Sequence, residues 1–529
     1  MNAFSSPHVS STVVREKLRD GEEIALFDLR EEGPFAAAHP LFAVNLPLGR
    51  IEERLAGLAP RRDAPIVIYD DGEGRVAKAL PIFRRLGYTN VSALAGGLEG
   101  WRNSGGEIFI DVNVPSKSFG ELVEHERGTP SLPARELYER LERGDDLVVL
   151  DARRFSEYTT MSIPSGRSVP GAELALRVRG LAPSPQTTVV VNCAGRTRSI
   201  IGAQSLINAG IPNPVFALRN GTIGWTLEGL QLAHGETKRA GDVLEDDREA
   251  ALQGAISLAE RAGVRLIDAA GVAELAADTA RTLYRLDVRS PEEYEASHLA
   301  GFRSAPGGQL VQATDEWVGV RHGTIVLTDD DGVRARMTGH WLRQLGWNEV
   351  YVLTDWSDLP RESGVEQAPL AGPLPDVRFV SVKDLSERVA PFVIDLATSP
   401  EFRKKHIPGS HFAIRSDVED IFGKIGARKI VLTSPDGLAA RLAAPEFEAQ
   451  GFDVEVLEGG LNAWLAAKQP IEVGLTPEAA LSEPNDIYKR PYEGADNSAK
   501  AMQAYLDWEF GLIAQLERDG THGFRVLKG

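Results

Sequence analysis

The chain has almost no cysteine: one thiol, Cys193, in 529 residues. That excludes an internal disulfide framework and a cysteine-based zinc site. A single free thiol fits a reducing cytoplasm, the location expected for the chain. No apolar run reaches the roughly 18 residues of a membrane span. The opening MNAFSSPHVS lacks the charged start and apolar core of a signal peptide. Positive charge is in the minority, with 58 Lys and Arg against 76 Asp and Glu, a formal net charge of −18. No basic stripe relieves this, so nucleic-acid phosphates would repel the chain. The 10 histidines show no paired metal-ligand spacing, and His8, His39, His298 and His406 read as structural. The run Asp329 to Asp331 lacks the glutamate that ends a calcium loop, and no Gly-Lys-Ser/Thr phosphate loop occurs. No metal, cofactor, nucleic acid or membrane is expected as a partner.

What is present is repetition. An apolar strand ending in Asp and followed by a polar helix start occurs at Ile24–Phe35, Leu147–Tyr158, Leu283–Tyr294 and Phe392–Phe402. A strand, short loop and helix recur at 65–80, 188–203, 324–339 and 429–444. Each unit closes on a short strand, a turn and a tryptophan: Trp101, Trp225, Trp356 and Trp464. Alignment of the loops places Asp70, Cys193, Asp329 and Ser434 at one position. The steps between them are domain-sized, and a chain this long exceeds one hydrophobic core. Strands apolar at nearly every position, alternating with helices, predict mainly parallel sheets covered on both faces. The fold class is therefore α/β, with four tandem domains at about residues 1–110, 125–235, 255–365 and 375–472. Residues 473–529 form a tail, helical where Met502, Tyr505, Leu506, Phe510, Leu512 and Ile513 give an apolar stripe; it is expected to pack on a neighbouring domain. Residues 112–133, 234–254 and 364–376, rich in charge or in Pro and Gly, read as linkers.

Cys193 heads CAGRTRS, between the strand-like TTVVVN and the helix-like SIIGAQSLINAG. A lone cysteine is ordinarily a small buried hydrophobe. Here Gly195, Arg196, Thr197, Arg198 and Ser199 suit a loop whose amides face inward as an anion-binding nest. At a helix N-terminus a thiol is expected to ionise more readily, and Arg196 and Arg198 add positive charge.

The motif order resembles rhodanese domains, the thiosulfate sulfurtransferases. It consists of Asp-x-Arg near the first strand's end, Glu-Tyr, a turn such as HIPGS (His406 to Ser410), the strand-end cysteine loop, and Gly-Gly-x-x-x-Trp (Gly96 to Trp101, Gly459 to Trp464). The resemblance spans about residues 8–470, and only the second unit keeps the cysteine. It implies a sulfurtransferase in which Cys193 takes a sulfane sulfur from thiosulfate or a similar anionic donor. The persulfide would then pass to cyanide or a thiol by double displacement. Ala194, Gly195, Arg196, Thr197, Arg198 and Ser199 would bind the substrate, and Arg196 and Arg198 would draw in the dianion. Asp151 and Arg153 would brace the loop. Asp70, Asp329 and Ser434 cannot form a persulfide, so the other units would be inactive, with Arg75 and Arg334 as fold braces. Tandem members of the family suggest that unit one pairs with two and three with four. The second unit departs from the family in Asn220-Gly221 and in a turn, SIPSGRSVPG, without histidine.

A cysteine phosphatase needs Cys-x5-Arg, and position 199 is serine. The remaining rival is a non-catalytic sulfur-carrier or redox-sensing scaffold that uses Cys193.

Overall fold

The computed structural model describes residues 7–357, 359–494 and 496–528; the first six residues of the opening segment lie outside it. Four five-stranded sheets follow one another along the chain, and their pairings are parallel. Numbered by chain order within a unit, the strands lie first–fifth–fourth–second–third in every sheet. The third unit adds a two-residue strand, His298–Leu299, antiparallel to Arg361–Glu362. In each sheet the Asp-ending strand lies beside the strand that leads into the aligned loop, as Leu147–Asp151 does beside Thr188–Asn192. Helices on both faces explain why Val189, Val190 and Val191 are all fully buried.

One predicted linker is an element of the core. Residues 112–133 contain the helix Val114–Arg127, whose Phe119 packs edge-on against Trp341. Pro115 sits in the first turn, where the missing N–H costs nothing. Gly120 is where the helix meets Thr197, which a Cβ would approach to 3.0 Å. Residues 234–254 run into the helix Glu245–Ala262.

The expected pairing of unit one with two and three with four is corrected. The turn Gly171–Glu173 of unit two faces Gly307–Gln312 of unit three, where glycines let the backbones touch. Arg334 of unit three donates to Glu173 of unit two at 2.7 Å. The equivalent turn of unit one, Leu48–Arg50, faces Arg415–Asp417 of unit four; Arg415 and Glu52 pair there at 3.0 Å, both side chains 7% exposed. Unit one also touches unit three, the Tyr284 hydroxyl donating to the Leu58 carbonyl.

The tail binds these pairs together. It crosses unit four, pairing Ala480 with Phe412, and unit one, where Gly33 donates to the Asn485 carbonyl. It then forms two helices, Ala499–Phe510 and Leu512–Asp519, separated at Gly511. Met502, Tyr505, Leu506 and Leu512 are buried as the stripe predicts; Phe510 is exposed and Ile513 only half-buried.

Candidate active site

Cys193 follows the strand Thr188–Asn192 directly, and the helix Thr197–Asn208 starts four residues later. The closing turn of the unit clasps this loop, with Thr222 N donating to Cys193 O at 2.9 Å and Ile223 N to Ala194 O at 3.0 Å. The clasp requires Gly221, at φ 53, because a Cβ there would stand 2.3 Å from the Cys193 carbonyl. Asn220 takes the left-handed conformation, φ 61, that Gly96 and Gly459 take in their units. The departure from the glycine pair therefore preserves the turn.

The other units show what the loop is built to hold. Asp70 accepts hydrogen bonds from the amides of Gly72 and Val76, and Asp329 from those of Gly332 and Ala335. Ser434 Oγ accepts from Ala440 N. In all three the amide six positions on points at the side chain that stands in place of Cys193. The carboxylates thus occupy the strand-end nest themselves, as their sequence suggests. Around Cys193 the amides of Ala194 through Arg198 have no acceptor among the described residues. Buried amides of this kind favour negative charge.

The thiol is 2% exposed, and its Sγ lies 3.6 Å from Ser199 Oγ. Burial pushes Cys193 above its ordinary value; the Arg198 charge and hydrogen bonds from Ser199 oppose the rise, and Glu509 adds to it. The expectation of a depressed thiol is thereby corrected, because desolvation outweighs the helix end and the arginine. Ser199 Oγ meanwhile donates to the Arg196 carbonyl at 2.7 Å, so it must turn to serve a thiolate.

Both loop arginines are already paired with carboxylates. Arg196 is buried, its Nε 2.7 Å from Glu121 Oε1, and also pairs with Glu124 and the Asn220 side chain. It further stacks on Phe510, 4.3 Å from the ring centre. Arg198 gives two 2.8 Å hydrogen bonds to Glu157. Both acceptor carboxylates of Arg196 come from the misread linker helix. Glu157 belongs to the Glu-Tyr motif, the one signal in the sequence that pointed to it.

Asp151 and Arg153 form a pair 1% exposed on each side, at 2.7 Å. Arg153 also donates to the Met161 carbonyl, and Asn192, next to Cys193, donates to Asp151 at 2.9 Å. The pair is thus tied to the start of the loop. In the third unit Arg334 pairs with Glu293, Glu173 and Asp331; in the first, Arg75 meets Asp417. His39, His298 and His406 are buried and stacked on Phe35, Tyr294 and Phe402. Unit two has Ser162 at that position and lacks the stack.

A contribution that no motif announced comes from the tail. Tyr505 and Glu509 stand over Gly195, whose Cβ position lies 3.1 Å from Tyr505 Cε1 and 3.5 Å from Glu509 Oε2. Tyr505 donates to Glu509 Oε1 at 2.8 Å. Ile223 joins Met502, Tyr505 and Leu506 in one apolar cluster. Lys117, paired with Asp111 at 2.7 Å, lies between the rings of Tyr492, Tyr505 and Trp508. A separate cavity of about 570 Å³ lies between units two and three and is not lined by Cys193. Among the described residues no cluster of His, Cys, Asp and Glu could hold a metal ion, and no helix is long and apolar enough to cross a membrane.

The rhodanese-like domain model matches residues 10–104, 133–228, 270–355 and 380–467, so the chain belongs to the rhodanese family. It is similar over 99% of its length, at 53% identity and a TM-score of 0.96, to all of a crystal structure named as a thiosulfate sulfurtransferase from Pseudomonas aeruginosa. The uncharacterized protein YqhL of Bacillus subtilis is 33% identical over 101 residues, 19% of this chain and 76% of that protein.

Proposed function

We propose that the chain is a sulfurtransferase working through a persulfide on Cys193, with thiosulfate or a similar anionic donor and with cyanide or a thiol as acceptor. The observation that carries this reading is the contrast between the loops. Three place an oxygen at the head of the loop, where it accepts from the amide six positions on; the fourth places a thiol there, followed by the amides of Ala194 through Arg198 without an acceptor. Similarity to a protein named as a thiosulfate sulfurtransferase supports it.

In the first half-reaction the Cys193 thiolate attacks the outer sulfur of thiosulfate. The new S–S bond forms as the old one breaks, and sulfite leaves with the bonding pair. The amides of the loop then face the persulfide's outer sulfur, where charge gathers, as donors do in an oxyanion hole. In the second half-reaction the acceptor takes that sulfur and Cys193 departs as thiolate. Because Arg196 and Arg198 are already paired with carboxylates, amides carry more of the anion recognition than these side chains do. Ionisation of a buried thiol is the costly step, since only the thiolate attacks.

No cofactor takes part, and the cytoplasm suits a single reduced thiol. A continuous assay of thiosulfate with cyanide tests the activity: thiocyanate forms catalytically with the native chain and not with Cys193→Ser. One modification per chain without turnover would favour the sensing or carrier role.

A further inference from the structure

We propose that Glu509, brought to the cysteine loop by the C-terminal tail, carries the proton in the second half-reaction, accepting it from a thiol acceptor and returning it to the persulfide product. The proposal rests on the sulfurtransferase reading above and assigns the tail a chemical role in it.

Three observations place Glu509 there. It is fully buried, which an unengaged carboxyl avoids. Its Oε1 is held by the Tyr505 hydroxyl, and its Oε2 has no hydrogen-bond partner. That free oxygen is the one lying 3.5 Å from the Cβ position of Gly195, two residues from the thiol.

The neighbouring groups are otherwise committed. Arg198 holds Glu157 ionised, with a value of about 2 where burial alone would raise it, too acidic to accept a thiol proton. Ser199 Oγ is bound to the Arg196 carbonyl, and Glu121 and Glu124 are engaged by Arg196. Burial, with the Glu121 charge, pushes Glu509 up to about 8, while Lys117, Tyr505 and Arg196 oppose the rise. Tyr492 and Asp111 complete the ionisable groups around this corner, both acting on Tyr505. A carboxyl raised this far approaches the ordinary thiol value of about 8.5, the match at which proton exchange with a thiol is efficient. A cavity of about 240 Å³ runs between the tail and unit two beside Thr222, Ile223, Tyr492 and Met502. It adjoins the loop through Thr222, which binds the Cys193 carbonyl.

The step balances. The Glu509 carboxylate takes the acceptor's S–H proton, and the resulting thiolate forms a bond to the outer sulfur of the Cys193 persulfide. The Sγ–S bond breaks, its electron pair remaining on Cys193 as thiolate. Protonated Glu509 then returns its proton to the departing persulfide anion and is a carboxylate again. Sulfite, ionised in mildly alkaline solution, needs no such help.

The test uses the full chain in single turnover. Native protein and Glu509→Gln are loaded with thiosulfate, freed of excess, and mixed at pH 8 with either dithiothreitol or sulfite. Loss of the persulfide is followed by intact mass. The expected result is that the ratio of the thiol rate to the sulfite rate falls about a hundredfold in the variant, the scale of a lost general base. The deficit should close as pH rises and the thiol ionises by itself. A ratio within threefold of native, with both rates slowed together, would overturn the proposal and leave Glu509 a packing group.

A second measurement needs only the native chain. At pH 7, rates with thiols of differing acidity should depend little on thiolate fraction; strict proportionality to that fraction would also overturn the proposal. If the native chain forms no persulfide at all, the sulfurtransferase reading fails, and this proposal with it.

Discussion

Arg198 grips Glu157 with both terminal nitrogens, Nη1 to Oε2 and Nη2 to Oε1 at 2.8 Å each, so the arginine nearest the thiol is half-neutralised before substrate arrives. Glu157→Gln therefore acts in two ways. It removes charge-assisted hydrogen bonds, costing about 1.5–3 kcal/mol, toward the lower end because Glu157 is partly open to water. It also leaves the Arg198 charge unopposed beside Cys193, so the thiol should fall in pKa and alkylate faster at pH 7. Glu157 is depressed to about 2 from an ordinary value of about 4.3. Its stabilisation is full above the ordinary value and lost as pH falls through the lower one. Urea unfolding of the two proteins should therefore differ at pH 6 and converge toward pH 2.

The clasp on the cysteine loop should be sensitive at Gly221 and tolerant at Asn220. In Gly221→Ala a methyl group meets the Cys193 carbonyl at 2.3 Å in a left-handed backbone, so the loop must shift. Persulfide formation should drop at least tenfold, since reacting groups tolerate little displacement. Asn220→Gly keeps the turn and loses one hydrogen bond from Arg196; it should load sulfur within a few-fold of native. Equal loading by both variants would contradict the account of the clasp.

Asp151→Ala strands Arg153 in the core, and breaking a buried pair costs about 3–5 kcal/mol. The fourth unit offers an internal comparison. Asp395 occupies the same position, but Ala397 stands where the arginine would be, and Asp395 Oδ2 has no partner. Asp395→Ala should cost distinctly less than Asp151→Ala. Chemical denaturation of each variant measures both, and similar losses would remove the basis for calling Asp151–Arg153 a brace.

The tail carboxyl makes a prediction in stability alone. Glu509 is raised to about 8 by burial, so its contribution is full below about 4.3 and is lost as pH rises through 8. Glu509→Gln lacks that loss. The melting temperature of the variant relative to native should rise steadily between pH 5 and pH 8.5; parallel curves would mean the carboxyl is not held protonated in the fold.

Much of this was legible before the structure. Unbroken apolar strands such as TVVVN announce a sheet covered on both faces, and four ordered motif sets announce four rhodanese units. The cysteine loop was found because Gly195 and Arg196 are poor continuations of a strand. What escaped depends on distance along the chain. Glu121 and Glu124 lay in a stretch whose Pro115 and Gly120 read as linker, though the first fits the first turn of a helix and the second admits Thr197. Glu509 lies more than 300 residues from Cys193, and nothing in its own helix says what it will cover. The thiol's ionisation was misjudged for a related reason: sequence shows the arginines and the helix start, but neither the burial of the folded loop nor the Glu509 charge that the tail brings. The pairing of units two and three rests on glycines at 171, 307 and 308, whose close approach no local pattern records.

The central claim is that Cys193 carries sulfur. Intact mass of the full chain after thiosulfate, beside Cys193→Ser, tests it most directly. The account predicts a gain of one sulfur atom on the native chain, absent in the variant and erased by cyanide with release of thiocyanate. A native chain that gains no sulfur from thiosulfate or mercaptopyruvate, or a variant that gains it equally, would contradict the account.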